Sequence, residues 1–167
     1  MKKQFGLLTI LILSGLNMQS QYALPEKGKQ LNAGVGLSTW GIPVFLGMDF
    51  GVDTDISAGF EFSYRNFNQH YYGKKYSSSI LGFSGNGNYH LNGITNIPTQ
   101  YDVYAGLNVG FYVWNSSGDY PGSQSSGIGI GAQIGARYYF NDKTAVNIEF
   151  GGGNAFSGGK IGLSFKL

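Results

Sequence analysis

The sequence predicts an all-β fold, an eight-stranded antiparallel up-and-down transmembrane β-barrel preceded by a cleaved leader. Three observations predict it. Eight stretches alternate apolar residues with small or polar ones at the period of a strand. Every acidic or basic residue inside those stretches falls on the polar column. Charged residues are only 12% of the chain, against ~25% in soluble domains, while glycines number 28 and aromatics reach 16%. Lipid offers the backbone no hydrogen-bond partner. A closed sheet with an apolar outside and a polar inside meets that constraint.

Residues 1–20 read as a secretory signal peptide. Lys2 and Lys3 form its positive end, and Phe5 to Leu16 its apolar run. That run is shorter than the ~20 residues of a spanning helix. The cut falls near Ser20, so the mature barrel domain covers residues 21–167. Losing Lys2 and Lys3 leaves nine Lys/Arg against nine Asp/Glu, a formal net charge of zero. Nothing basic points to nucleic acid. The absence of cysteine excludes disulfides, a thiolate zinc site, a catalytic thiol and a lipidated N-terminal Cys.

The eight strands follow in order. In the first, Leu31, Ala33, Val35 and Leu37 oppose Asn32, Gly34, Gly36 and Ser38. In the second, Val44, Leu46, Met48, Phe50 and Val52 oppose Phe45, Gly47, Asp49 and Gly51. In the third, Ile56, Ala58, Phe60, Phe62 and Tyr64 oppose Ser57, Gly59, Glu61, Ser63 and Arg65. The fourth sets Leu81, Phe83, Tyr89 and Leu91 against Gly82, Ser84, Asn86, Asn88 and His90. The fifth runs from Tyr101 to Val113, with Asp102, Tyr104, Gly106, Asn108, Gly110 and Tyr112 on its polar column. In the sixth, Ile128, Ile130, Ala132, Ile134, Ala136 and Tyr138 oppose Gly129, Gly131, Gln133, Gly135, Arg137 and Tyr139. In the seventh, Val146, Ile148 and Phe150 oppose Asn147, Glu149 and Gly151. In the eighth, Ile161, Leu163, Phe165 and Leu167 oppose Lys160, Gly162, Ser164 and Lys166. A charge on the lipid face costs ~2–4 kcal/mol near the midplane, which explains its absence there.

The connections alternate in length. Asp53-Thr54-Asp55 and Asn141-Asp142-Lys143 are tight turns, and Leu91 to Gln100 is a longer turn at the same rim. The other rim carries Trp40–Pro43, Phe67–Ser78, Asn115–Ser126 and Gly152–Gly158 as loops.

These features resemble the small OmpA/OmpX-type outer-membrane β-barrel family over about Gly28 to Leu167. The end of the chain, Lys160-Ile161-Gly162-Leu163-Ser164-Phe165-Lys166-Leu167, is similar to the family's terminal-strand assembly signal. Its carriers here are Gly162, Phe165 and Leu167, with Leu167 in place of the usual final aromatic. The Asn/Tyr/Ser/Lys-rich style and the Gln19-Ser20-Gln21 cut region resemble Bacteroidota envelope proteins. The resemblance implies the outer membrane of a Gram-negative bacterium, long loops extracellular and both termini periplasmic. It implies outer-membrane lipids, the barrel-assembly machinery and an extracellular surface ligand as partners, and no cofactor.

An eight-stranded interior is only wide enough for side chains. Asp49, Glu61, Arg65, Arg137, Glu149, Lys160 and Lys166 are therefore expected to meet in the lumen as ion pairs, centred on Glu61, Arg137 and Glu149. The expected role is structural or surface-interacting and non-enzymatic. A narrow porin is the alternative, since the lumen-facing glycines leave space. A rim-located lipid A-modifying enzyme is a second alternative, built from His70, Asp119 and a loop serine. A secreted soluble barrel would expose the Gly/Asn face, which has too little lysine and glutamate for that. Tyr71, Tyr72, Lys74, Lys75, Tyr76 and Tyr120 are the expected surface-loop contacts, or members of an aromatic girdle.

Overall fold

The computed structural model describes residues 24–71, 74–93, 97–116, 125–155 and 157–167. The strands are β1 (Lys29–Leu37), β2 (Ile42–Asp53), β3 (Ile56–Tyr71), β4 (Lys74–His90), β5 (Tyr101–Ser116), β6 (Gly127–Tyr139), β7 (Thr144–Gly153) and β8 (Gly158–Lys166). Each pairs antiparallel with its sequence neighbour. β1 pairs with β8 from Gln30↔Lys166 to Leu37↔Gly159, which closes the sheet. Closure leaves no unpaired edge around the ring, so the ladder satisfies the backbone of the belt where all eight strands pair.

The alternation read from the sequence is the in-out alternation of the wall. Leu107 is 69% exposed on the outer face, whereas its strand-mate Asp102 is 0% exposed in the lumen. Phe62, Phe83 and Phe111 lie side by side on β3, β4 and β5, with the Phe62 and Phe83 rings 4.7 Å apart. Among the described residues this belt has no protein partner across the wall, as a lipid-facing surface requires.

The turns follow their side chains. Asn141 Oδ1 accepts from the Lys143 and Thr144 amides at 2.9 and 2.8 Å, and Asp53 Oδ1 from the Thr54 amide at 2.7 Å. Leu91–Gly93 forms a 3₁₀ turn whose Asn92 side chain clamps the start of β5, donating to the Tyr101 carbonyl at 2.6 Å. Gly41, at φ 96°, closes the β1–β2 connection in a conformation that disfavours other residues.

One expectation is corrected. Phe67–Tyr71 and Lys74–Ser78 are strand, not loop: β3 and β4 stay paired to Tyr71↔Lys74. The ladder needs only backbone groups to continue. What changes along it is the outward column, which becomes polar at Asn66, Asn68 and Ser77, as in the Ser77 hydroxyl bond to Asn66 Oδ1 at 3.2 Å. Loss of the apolar column marks the end of the lipid-facing belt, not the end of the strand. β5 likewise continues to Ser116.

Candidate functional site

The lumen is crossed by two cations, each pairing with one acid on the next strand and one on a distant strand. Arg137 on β6 donates through Nη1 to Asp102 Oδ2 on β5 at 2.9 Å. Its Nη2 donates to Asp49 Oδ2 on β2 at 2.7 Å, on the opposite wall. Lys160 on β8 donates to both Glu61 oxygens on β3, at 3.0 and 2.8 Å, and lies 2.8 Å from Glu149 Oε1 on β7. The neighbouring pairs follow from the register, Asp102↔Arg137 and Glu149↔Lys160. The distant pairs require a closed barrel.

Tyr104 joins the two groups. Its hydroxyl donates to Glu149 Oε2 at 2.8 Å, and Arg137 Cζ lies 4.3 Å from its ring centroid. A Cβ at position 135 would collide with this ring, so Gly135 makes the room Tyr104 occupies. Amides and hydroxyls extend the network towards the terminal rim. Asn32 donates to Asp49 at 2.9 Å and accepts from Ser164 at 2.7 Å and Gln30 at 3.1 Å. Tyr139 donates to Gln30 Oε1, and Lys166 Nζ lies 4.1 Å from the Tyr139 ring centroid. Away from the terminal rim, Asn108 donates to Gln133, which donates to Asn88.

Near the terminal rim, Ser57, His90 and Asp102 stand in the hydrogen-bond order of a nucleophile, base and orienting acid. Ser57 Oγ is 2.9 Å from His90 Nε2, and His90 Nδ1 is 2.6 Å from Asp102 Oδ1. Ser57 is only 1% exposed, and Arg137 also holds Asp102. With its hydroxyl closed off, the trio extends the Arg137 network to β3 and β4.

The expected cluster therefore separates into two. Arg137 does not pair with Glu149. Its β7 ladder partner is Asn147, while Glu149 stands opposite Gly135. Arg65 and Lys166 lie in the lumen wall but make no ion pair within 4 Å among the described residues; Arg65 donates to Ser38 Oγ at 3.2 Å. Asp102, His90, Tyr104 and Ser57 were not singled out by sequence reasoning. Their one signal was membership of a polar column.

At the closing strand, Phe165 pairs with Leu31 of β1 and Thr144 of β7, and Gly162 with Gly34 and Asn147. Leu167 is exposed, and its amide donates to the Lys29 carbonyl at 2.9 Å. His70, Tyr71, Lys74, Lys75 and Tyr76 lie on the paired backbone of the β3–β4 hairpin. Tyr72, Asp119 and Tyr120 lie outside the described residues, as does the leader 1–20.

No family model and no curated protein matches this sequence. Solved structures do match. The outer membrane protein OprG from Pseudomonas aeruginosa aligns at TM-score 0.63 and 10% identity, over 88% of this chain and 99% of that one. The Yersinia pestis outer membrane protein Ail in a phospholipid nanodisc aligns at 0.54 and 11%, over 85% and 100%. A de novo designed transmembrane β-barrel aligns at 0.53 and 17%, over 89% and 100%. At these identities the likeness is one of fold: this chain has the fold of a small transmembrane β-barrel.

Proposed function

We propose that this protein is a non-enzymatic outer-membrane β-barrel of a Gram-negative bacterium, with a closed lumen and a structural and surface-interacting role. The observation that carries the reading is the cross-bracing of the lumen by Arg137 and Lys160. Side chains from opposite walls meet inside the barrel, so the polar interior is filled. The apolar belt supports residence in lipid, and the OprG and Ail structures support the outer membrane. Secretion by the 1–20 leader fits the same compartment. The terminal strand, with Gly162, Phe165 and Leu167, is the segment offered to the barrel-assembly machinery.

Sidedness is part of the proposal. β3 and β4 are 16 and 17 residues long, against the ~9–11 that cross the hydrocarbon. The excess lies at the rim remote from the termini. That supports an extracellular β3–β4 hairpin, the stretch that carries Tyr71, Lys74, Lys75 and Tyr76, as the part that meets a surface ligand, with both termini periplasmic.

The narrow-porin reading has the lumen glycines in its favour. Against it, a mid-lumen cavity between Asp49, Asn86 and Glu149 is about 10 Å³, room for one water and not for a hydrated ion. The test joins fractionation to conductance. The mature protein should sediment with outer membranes, migrate faster in cold detergent than after boiling, and give no steady channel in planar bilayers. Recovery as a soluble periplasmic protein would overturn membrane residence. Steady ohmic steps would put the porin ahead.

A further inference from the structure

At the rim remote from the termini, the lumen holds a buried cation that has no acid in contact among the described residues. Arg65 is 6% exposed, yet no carboxylate lies within 4 Å of it among the described residues. Its Nε makes no hydrogen bond there. Its one described partner is the neutral Ser38 hydroxyl, which also accepts from the Trp40 amide at 3.3 Å and donates to the Gly41 carbonyl at 3.0 Å. Glu61, the acid on the same column of β3, is held through both oxygens by Lys160. A buried guanidinium with no acid in direct contact is costly, and an unmade bond at Nε adds to the cost.

Beside it is a cavity of about 30 Å³, lined by Arg65, Ser63, Glu61, Lys160, Phe45 and Pro43. One water needs ~10–15 Å³, so the space takes a single small group. The donors facing it suit an acceptor: the planar guanidinium fork matches a carboxylate, phosphate or sulfate. Glu61 faces the same cavity, held through both oxygens by Lys160, which it shares with Glu149. Trp40 sits next to Ser38 and packs against Trp114 and Tyr112, ring centroids 5.3 and 5.8 Å away.

We propose that this mouth is a binding site for one oxyanion group, gripped by Arg65. The group is either a free anion or the charged end of a larger molecule or lipid headgroup. This deepens the surface-interaction reading and rests on it only for the side from which the ligand arrives. Binding in micelles tests the site whichever way the barrel is oriented.

The chain contains two arginines, Arg65 and Arg137, so a ¹⁵N-arginine spectrum of the folded barrel in neutral maltoside micelles carries two Nε–H signals. Titrated with inorganic phosphate, the Arg65 signal should move saturably while that of Arg137 stays. Its two tryptophans, Trp40 and Trp114, both lie at this mouth, so fluorescence should follow the same curve. Loss of a charge-assisted pair costs roughly tenfold or more in affinity, which Arg65→Gln should show in the fluorescence titration. If phosphatidylglycerol added to the micelles moves the Arg65 signal and inorganic phosphate does not, the source is a lipid headgroup. An Arg65 signal that ignores both, or that chloride moves equally at the same ionic strength, overturns the site. The wild-type spectrum decides this even if Arg65→Gln fails to fold.

Discussion

Arg137→Ala is expected to lower the temperature at which the folded barrel loses its heat-modifiable form by on the order of 10 °C. Arg137 is 3% exposed and holds Asp49 and Asp102, themselves 2% and 0% exposed. Truncation leaves two carboxylates facing each other with no cation between them. Removing one partner of a buried pair costs about 3–5 kcal/mol, mostly as the penalty of the charge left behind. The second step identifies the partner. Asp49→Asn added to Arg137→Ala should recover part of the loss, because one orphaned charge has gone. Glu149→Gln added to Arg137→Ala should recover nothing, because Glu149 pairs with Lys160 and accepts from Tyr104. Gel shift after stepwise heating measures both. An unchanged transition in Arg137→Ala would mean that water already answers these charges and the lumen is open.

Phe165→Asp is expected to remove the assembled protein from the membrane. Phe165 sits on the outward column of β8, between Leu31 of β1 and Thr144 of β7, at the seam that closes the barrel. An outward charge costs ~2–4 kcal/mol near the midplane and less towards the interface. The same change alters the segment proposed to be read during assembly, so the two losses act together. Immunoblots of membrane and periplasmic fractions should show degradation products in place of full-length barrel. Phe165→Leu keeps the face apolar and should leave levels close to wild type. Normal membrane levels of Phe165→Asp would refute the outward assignment of β8.

The two variants divide along a line that also separates what was legible in the sequence from what was not. The face of Phe165 follows from period-two alternation, a local property that Lys160, Gly162, Ser164 and Lys166 share by stepping along one strand. The partner of Arg137 is a matter of register. A slip of two residues keeps every side chain on its face and changes every neighbour, so alternation cannot distinguish Asn147 from Glu149 as its β7 partner. The bond from Arg137 to Asp49 is less legible still, because it spans the barrel and exists only after closure. Strand length was hidden for another reason. β3 and β4 run on to Tyr71 and Lys74 after their apolar column has ended, and a pattern that reports lipid contact is silent beyond the lipid. Asp102 and His90 stood on polar columns in plain view; their importance comes from sharing one lumen with Arg137.

An apolar wall facing lipid around a filled polar lumen sets how spin labels along β5 meet oxygen and water. The chain has no cysteine, so single cysteines can be placed without background. Labels at Ala105, Leu107 and Val109 point outward, and a label at Asn108 inward. In bilayers, oxygen partitions into the hydrocarbon. High oxygen collision rates are expected at 105, 107 and 109, and low rates for both oxygen and a water-soluble nickel chelate at 108. A high nickel-chelate rate at 108 would mean that the lumen is open. A high oxygen rate at 108, with low ones at 107 and 109, would reverse the orientation of the wall itself.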